Sequence, residues 1–480
     1  MIAISNNFKI ISDETSYDYG SITNEIRLIH QKLSHIPGQV IGVYLDNSVE
    51  WVLLDLYAHL FKKTLVPIPG FFNRDQVDHL IDSSGINIIF SHNQALNKKL
   101  GFSSEHIIFD NFCGSVRKNN KQHDLSPFQK LTFTSGTTSS PKGVLLTAAG
   151  QVEVAESLLK QLSSVNIKRH LSLIPFSILL ENIGGIYSMA IQGGELIVLS
   201  NTKTGLSGSS QFDMGMCFAS IEKFKPESII LLPQMLKEFI TFLRSNSKDI
   251  SYIKFIAVGG SKIAPQLIHD AKELGLPVFE GYGLTECCSV VSVNIPSNEA
   301  IGSVGQPLPG REVRVNKNNE IEVKMKNSFR YLSDEKNSDA WFSTGDLGRI
   351  DQGYIYITGR KKNILITSYG RNVSPEWPEA LLNDHKDINQ SIILCDEESY
   401  LQALILLNKK SIRPDEAVTI IEQTNRKLPD YAQILKYLII DEPTILNNKN
   451  LTLNGQLSRG WLIEQYREAK YHSIKEAVNV

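Results

Sequence analysis

Thr134-Ser-Gly-Thr-Thr-Ser-Ser-Pro-Lys-Gly143 is the stretch that decides the fold of this 480-residue chain. Apolar, β-prone segments flank it, Leu131–Phe133 before and Val144–Leu146 after, and they predict a loop held between two strands. Its glycine lets backbone amides converge, its hydroxyls donate hydrogen bonds, and its lysine adds positive charge. The pattern is typical of a polyphosphate-binding loop, with a solvated Ser/Thr loop as the alternative.

Length and composition limit the classes of function. A chain with 42% hydrophobic and 21% charged residues is ordinary for a globular protein, and 480 residues suffice for two or three domains. The net charge of −2 gives no reason to expect nucleic acid or an anionic membrane as a partner. The five cysteines form neither a C-x-x-C pair nor a metal-ligand spacing, so we expect a reduced, cytoplasmic protein.

We also expect no signal peptide and no membrane span. The first residues lack a basic segment followed by an apolar run. The most apolar region, Leu171–Leu199, is interrupted by Pro175, Glu181 and several glycines.

From Tyr19 onward the hydrophobic pattern alternates between helix and strand. Apolar residues recur at helical spacing from Ile22 to Leu33, a β-branched run follows at Val40–Tyr44, and the alternation continues to Phe90. This order predicts an α/β fold with a largely parallel sheet. Further along, alternating strands between Ser391 and Leu407 precede a helical pattern and predict a small α+β domain.

Further motifs follow the loop in order. Phe255–Ser261 is a predicted strand that ends in small residues, so a flat ring could approach its backbone closely. Two further glycine-containing motifs follow, Gly281-Tyr-Gly-Leu-Thr-Glu286 and Trp341–Gly348, and each contains a carboxylate, Glu286 and Asp346. Alone, the Gly345-Asp346 pair would be typical of a turn. A dinucleotide fingerprint is incomplete here, since its third glycine is missing.

These motifs and their order closely resemble those of the adenylate-forming superfamily, which includes acyl- and aryl-CoA synthetases. The resemblance covers nearly the whole chain. It implies a large multi-subdomain α/β adenylation domain, residues 1–358, followed by a small mobile α+β lid, residues 359–480. It also implies ATP and Mg²⁺, a small carboxylic acid, and CoA or a phosphopantetheine-bearing acyl carrier protein as thiol acceptor. The chain would be a monomer or a homodimer.

The resemblance also implies the residues of the site. Tyr282 would stack on adenine, Thr285 would contact the α-phosphate, Glu286 would bind Mg²⁺, Asp346 would bind the ribose, and Arg360 the ribose or phosphate. The expected catalytic residues are Lys142, Thr285, Glu286 and Gln456. The remaining expected nucleotide- and thiol-binding residues are Thr134, Ser135, Gly136, Thr137, Thr138, Gly259, Gly260, Ser261, Gly281, Gly283 and Gly370.

One position departs from the family pattern. In Gly455-Gln-Leu-Ser-Arg459, Gln456 stands where the family has a lysine that bridges the acid and ATP. Losing such a positive donor typically costs on the order of 100- to 1000-fold in rate. Three possibilities stay open: a working enzyme with weakened adenylation, which we favour, an enzyme of the transfer step alone, or a non-catalytic protein that binds ATP or acyl-adenylate.

The acid pocket is predicted from less specific signals. Ile178 stands where acyl-CoA synthetases have a gating histidine, and no nearby aspartate is present to hold an amine, which disfavours an α-amino acid. Periodicity does not distinguish an acyl pocket at 178–180 from plain core. If these residues form an acyl pocket, their apolar character and a small Gly283 that leaves the pocket floor open favour a fatty acid. Cys287 and Cys288 are expected to line the pocket. Asn363 is the expected hinge of the lid.

Overall fold

The structure is a computed structural model. It describes residues 2–36, 40–70, 72, 74–92, 94–102, 104–108, 112–117, 125, 127–134, 142–207, 211–325, 329–333, 341–366, 371–395, 400–407, 414–440, 459–466, 469 and 471–473.

The helices of the described residues, in chain order, are α1 (Tyr19–Leu33), α2 (Val49–Leu60), α3 (Arg74–Ser84), α4 (Gln94–Lys99), α5 (Ala148–Gln161), α6 (Leu179–Glu181), α7 (Ser188–Gln192), α8 (Met214–Phe224), α9 (Pro233–Ser245), α10 (Pro265–Glu273), α11 (Glu376–Asn383), α12 (Pro414–Asn425) and α13 (Arg459–Tyr466).

The strands are β1 (Lys9–Ile11), β2 (Ser16–Tyr17), β3 (Val40–Tyr44), β4 (Thr64–Pro67), β5 (Ile88–Ser91), β6 (Ser104–Ile108), β7 (Cys113–Val116), β8 (Phe128–Thr134), β9 (Lys142–Thr147), β10 (Arg169–Leu171), β11 (Glu195–Ile197), β12 (Leu206–Ser207), β13 (Gln211–Phe212), β14 (Ser228–Leu231), β15 (Phe255–Val258), β16 (Val278–Leu284), β17 (Ser289–Val293), β18 (Gln306–Pro307), β19 (Val313–Val315), β20 (Glu320–Lys324), β21 (Phe329–Tyr331), β22 (Trp341–Asp351), β23 (Tyr354–Arg360), β24 (Leu365–Ile366), β25 (Asn372–Val373), β26 (Ile388–Cys395), β27 (Leu401–Leu407), β28 (Ile434–Ile440) and β29 (His472–Ser473).

Two large sheets form the body of the molecule. One has nine strands in the order β18-β17-β16-β15-β14-β10-β11-β1-β2, and the other has eight in the order β21-β9-β8-β4-β3-β5-β7-β6. The strands from β16 to β1 of the first sheet run parallel, as do β8, β4, β3 and β5 of the second. The predicted α/β fold is confirmed, and antiparallel strands close the edges of both parallel regions.

The helices begin and pack as their sequences predict. Asp18 caps α1 by accepting a 2.8 Å hydrogen bond from the Ser21 amide, and four apolar residues of that helix, Ile22 to Leu33, are buried. Ser48 caps α2 in the same way through the Trp51 amide at 3.2 Å. These caps fix the helices that cover the sheets.

A helical segment with a π turn crosses the first sheet. α6 continues through a π turn at Asn182–Tyr187 into α7, and π turns inside helices are frequent at functional sites. Gly185 allows the close approach to β10, because a Cβ there would lie 2.9 Å from Nε2 of His170. This segment covers the cavity described below.

The rest of the chain forms two smaller layers. β19, β20, β22 and β23 make an antiparallel sheet, and β26 to β29 make the sheet of the C-terminal part, with its own apolar core. Lys237 of α9 joins this C-terminal part to the body, since its ammonium donates to the backbone carbonyls of Asn383, at 2.6 Å, of His385, and of Ile388, at 2.8 Å. Among the described residues, none of the helices is long and apolar enough to cross a membrane.

Candidate functional site

A cavity of about 710 Å³ lies between the first sheet and the helices that cover it. One end, called the mouth, lies beyond the carboxyl ends of β15 and β16, where ligands usually bind in parallel sheets. The mouth is lined by Lys142, Gly259, Gly260, Ser261, Lys262, Glu280, Tyr282, Thr285, Glu286, Tyr331, Asp346, Arg360, Lys362 and Glu376. The other end, called the far end, lies near the amino ends of the strands and is lined by His170, Ser188, Gln192 and Ser228.

Asp346 is the buried acceptor of the mouth. Its side chain is almost inaccessible, and its two oxygens receive a 2.6 Å hydrogen bond from the Tyr282 hydroxyl and a 2.7 Å contact from Nε of Arg360. Arg360 stands opposite because β22 and β23 pair Asp346 with it in register. Burial, followed by the nearby Asp346 charge, raises the pKa of Tyr282 well above its ordinary value, so this hydroxyl remains a donor. The remaining lone pairs of Asp346 can accept from ligand hydroxyls.

Glu286 is held at the mouth by a residue that carried no sequence signal. It lies in a short 3₁₀ turn, Thr285–Cys287, and accepts a 2.8 Å hydrogen bond from the Tyr331 hydroxyl. Tyr331 comes from β21, which pairs with β9, and β9 begins at Lys142. Strand pairing therefore brings Lys142, Glu286 and Tyr331 to the same end of the cavity.

The side chains at the mouth fit a Mg²⁺ ion that is bound by one carboxylate and by phosphate oxygens. Within the described ranges, no group of three or more His, Cys, Asp or Glu side chains could hold a metal ion by itself. A single carboxylate such as Glu286 fits Mg²⁺ that takes its other ligands from phosphate oxygens and water.

Two ionisable residues at the mouth were also missed. Burial raises the pKa of Glu280 to about 8, against the opposing effect of Lys262. Burial likewise lowers the pKa of Lys262, which follows the small-residue segment that ends at Ser261. Only the position of Lys262, directly after that segment, could have marked it in the sequence.

The expected hinge residue makes a specific contact. Nδ2 of Asn363 donates to a carboxylate oxygen of Glu376 at 2.5 Å, and Ser374 donates to the other oxygen at 2.6 Å. An aspartate at this position would bring two carboxylates together. The amide of Asn363 therefore matches the carboxylate of Glu376.

Two expectations about small residues are wrong. A Cβ at Gly283 would lie 1.7 Å from the backbone oxygen of Ser289, so close packing against β17 requires this glycine, and its missing side chain does not open the pocket floor. Cys287 and Cys288 are fully buried in the core and are not among the residues that line the cavity. Burial raises the pKa of the Cys288 thiol to about 12.

The region between the two ends is mostly apolar. Ile178, Leu179 and Leu180 line the cavity, which is the position expected of them if they form an acyl pocket and not plain core. Leu180, Gly184, Ser188 and Gln192 line it at a spacing of four residues, which places them along one helical face. Opposite them stand Ile230 of β14, Phe255 and Ala257 of β15, and Gly259 just after that strand.

Some expected residues cannot be placed. Thr134 ends β8 and pairs with Lys142, so the two strands that flank the phosphate loop are neighbours. The structure brings Gly259, Gly260, Ser261, Gly281, Tyr282, Gly283, Thr285, Glu286, Asp346, Arg360 and Lys142 to the cavity. Ser135, Gly136, Thr137, Thr138, Gly370 and Gln456 lie outside the described residues.

The fold and the cavity define a protein with a ligand site at the carboxyl edge of a parallel sheet and a smaller domain beside its mouth. The chain belongs to the AMP-binding enzyme family, whose model matches residues 13–327, and the model of the family's C-terminal domain matches residues 362–472. The expected membership in the adenylate-forming superfamily is thereby confirmed.

Known proteins of this kind include ligases of different acids. A 2-succinylbenzoate–CoA ligase of Bacillus pumilus is 26% identical over 370 residues, 72% of each chain. A long-chain-fatty-acid–CoA ligase of Mycobacterium bovis is 35% identical over 160 residues, 32% of this chain and 27% of that protein. The solved structure of the O-succinylbenzoate–CoA synthetase of Bacillus subtilis with ATP and magnesium has the same fold, with a TM-score of 0.75 and 20% identity over 95% of this chain and 96% of that one.

Proposed function

We propose that the protein uses ATP and Mg²⁺ to activate a carboxylic acid as an acyl-adenylate and then transfers the acyl group to the thiol of CoA. The observation that carries the proposal is that one continuous cavity joins a polar mouth to an apolar interior. The relatives named above are CoA ligases, which supports CoA as the acceptor; an acyl carrier protein is the other possible thiol.

The residues of the mouth suit the first half of the reaction. Asp346 and Tyr282 would hold the nucleoside, and Thr285, Lys142 and the loop at 134–142 would hold the phosphates. Bound Mg²⁺ would neutralise phosphate charge beside Glu286. A carboxylate oxygen of the acid attacks the α-phosphorus, and the bond to pyrophosphate breaks.

The second half of the reaction, transfer of the acyl group, would need only a thiol placed beside the acyl-adenylate at the mouth. The sulfur attacks the acyl carbon, the bond to AMP breaks, and AMP leaves. In this proposal the lid, residues 359–480, turns about Asn363 between the two halves, so that the groups facing the mouth change.

We propose a fatty acid as the substrate class. The cavity follows β15 from Phe255 to Val258, three residue steps or about 10 Å, and continues past the end of the strand to Gly259 and Gly260. A chain of methylene groups can use this length and its apolar walls fully, whereas one aromatic ring fills only part of it. The 2-succinylbenzoate–CoA ligase covers more of the chain than the fatty-acid ligase does, so an aromatic acid is the competing possibility.

The test is acyl-adenylate and pyrophosphate formation with ATP, Mg²⁺ and a graded panel of fatty and aryl acids, without thiol. We expect slow product formation with fatty acids in the wild type. We expect Gln456→Lys to raise the rate about 100-fold, since it restores a positive donor. Gln456→Met serves as the control that removes the amide without adding charge.

Three other outcomes would change the proposal. Product with aryl acids alone would replace the fatty acid. Product from Gln456→Lys alone would indicate a protein that binds or transfers an activated acid. ATP binding without pyrophosphate release in either protein would contradict the proposed activity.

A further inference from the structure

The far end of the cavity differs in chemistry from its apolar middle. Ser188 and Gln192 face it from α7, and Ser228 faces it from the first residue of β14. His170 of β10 stands beside Ser228, since these two residues are partners in the pairing of β10 with β14. An alkyl chain alone would have no use for these polar groups.

A chain of hydrogen bonds fixes the hydroxyl of Ser228. Its oxygen lies 2.8 Å from Nδ1 of His170, and Nε2 of His170 lies 2.7 Å from a carboxylate oxygen of Glu181. His170 and Glu181 are 2% and 0% exposed, so the imidazole cannot turn away to water. Ser228 keeps hydrogen-bonding capacity beyond its one bond to His170, because a hydroxyl has one donor and two acceptor positions.

Gln192 supplies a second group. Its amide nitrogen donates to the backbone oxygen of Ile167, which fixes the orientation of the side chain. Within the described part of the chain its amide oxygen accepts no hydrogen bond, and this oxygen is not among the fully buried atoms that lack a partner. Because Gln192 lines the cavity, we take this oxygen as the acceptor that a ligand there would meet.

Charge restricts the kind of ligand group. The lysines and arginines among the described lining residues, Lys142, Lys262, Arg360 and Lys362, are all at the mouth. At the far end the carboxylate of Glu181 already faces His170. A second carboxylate would find no cation there, and burying an unpaired charge is costly.

We propose that the far end is a polar subsite for a hydroxyl group carried near the distal end of the acid. A hydroxyl both donates and accepts, so it can donate to the amide oxygen of Gln192 and exchange a hydrogen bond with Ser228. A methyl terminus would desolvate the amide oxygen of Gln192 and the hydrogen-bonding positions that Ser228 does not use with His170, and would give them no partner. This inference rests on the proposed activation of a long aliphatic acid and narrows its substrate class to hydroxylated chains.

The test compares pairs of acids that have equal numbers of heavy atoms. Binding of each ω-hydroxy acid, and of the unsubstituted acid one carbon longer, is measured by calorimetry on the full chain over a graded series of lengths. We expect about tenfold tighter binding of the hydroxy acid at the length that reaches the far end. We expect Ser228→Ala and Gln192→Leu each to move this ratio toward one.

Ser220→Ala is the matched control. Ser220 is a serine of α8 whose hydroxyl donates to the backbone oxygen of Lys203 at 2.7 Å and which does not line the cavity. It should keep the tenfold ratio. Thermal unfolding of each variant checks that the fold is intact, and the two subsite variants test the subsite independently of each other.

The outcomes separate this inference from the proposed function. Equal binding of the two acids at every length, or a preference that both subsite variants retain, contradicts the subsite. Adenylate formation from unsubstituted acids would then leave the proposed function in place. A tenfold preference in binding without any adenylate would support the subsite and contradict the activity. No binding of either acid would contradict both.

Discussion

The residues at the two ends of the cavity come from the sequence in different ways. At the mouth, Tyr282, Glu286 and Asp346 come from contiguous motifs, and neighbouring side chains hold each of them. At the far end, Ser228 and Gln192 belong to no motif, and they line the same cavity from two different elements, β14 and α7. In our proposal, the mouth would carry the chemistry shared by the family, whereas the far end would set which acid this chain accepts.

The largest effect on the reaction rate should come from a substitution at the mouth. Glu286→Gln removes the carboxylate that we propose for Mg²⁺ and should lower the rate of pyrophosphate release by about 100-fold or more. The loss should be the same for hydroxylated and unsubstituted acids, because the far end is untouched. Pyrophosphate release at saturating ATP measures it.

Tyr331→Phe is a milder substitution that acts on the same carboxylate. It removes only the 2.8 Å hydrogen bond to Glu286 and keeps the ring. One neutral donor to a charged acceptor predicts a loss of about tenfold. A loss as large as that of Glu286→Gln would give Tyr331 a role of its own at the mouth, and no loss would mean that Glu286 needs no support.

The sequence alone predicted the mouth far better than the far end. The fold class and the alternation of helix and strand from Tyr19 to Phe90 followed from periodicity, and the residues expected at the nucleotide side followed from motifs. Tyr331 could not be found, since only the pairing of β21 with β9 brings it to Glu286. The reason for a glycine at position 283 was misread, because the atom that excludes a side chain there belongs to the backbone of the neighbouring strand β17.

One sequence pattern could have predicted part of the far end of the cavity. Leu180, Gly184, Ser188 and Gln192 share one face at helical spacing, and their polarity rises along it. The opposite wall has no such signal, because Ser228 reaches the cavity only through the order of strands in the sheet. Sequence periodicity can thus predict one wall of a cavity but not its partner.

The two ends should also differ in their response to the lid. Lys362 and Glu376 belong to the predicted lid and line the mouth, while the far end is formed by the large domain alone. Lys237→Met removes the donor that Lys237 offers to three lid carbonyls, so we expect the lid to leave its present position about tenfold more often. Limited proteolysis near residues 361–363 should speed up accordingly, while the preference for a hydroxylated acid stays.

Lys272→Met is the control for that experiment. Lys272 is a lysine of α10 that pairs with Glu299 at 2.8 Å within the large domain. Its loss should leave the rate of proteolysis unchanged. An equal acceleration in the two variants would show that Lys237 does not hold the lid in particular.

The smallest effect concerns the titration of the mouth. Burial raises the pKa of Glu280 to about 8 from an ordinary value of 4.5, so between these values the folded protein holds a proton that the unfolded chain has lost. The stabilising contribution is therefore complete below pH 4.5 and is lost as the pH rises through about 8. Because water and relaxation reduce such effects at a cavity mouth, we expect a loss of about 1 kcal/mol, seen as a drop of about 2 °C in Tm. Glu280→Gln cannot titrate and should remove this part of the slope between pH 5 and 8, whereas a slope that Glu280→Gln leaves unchanged would assign the titration to another group.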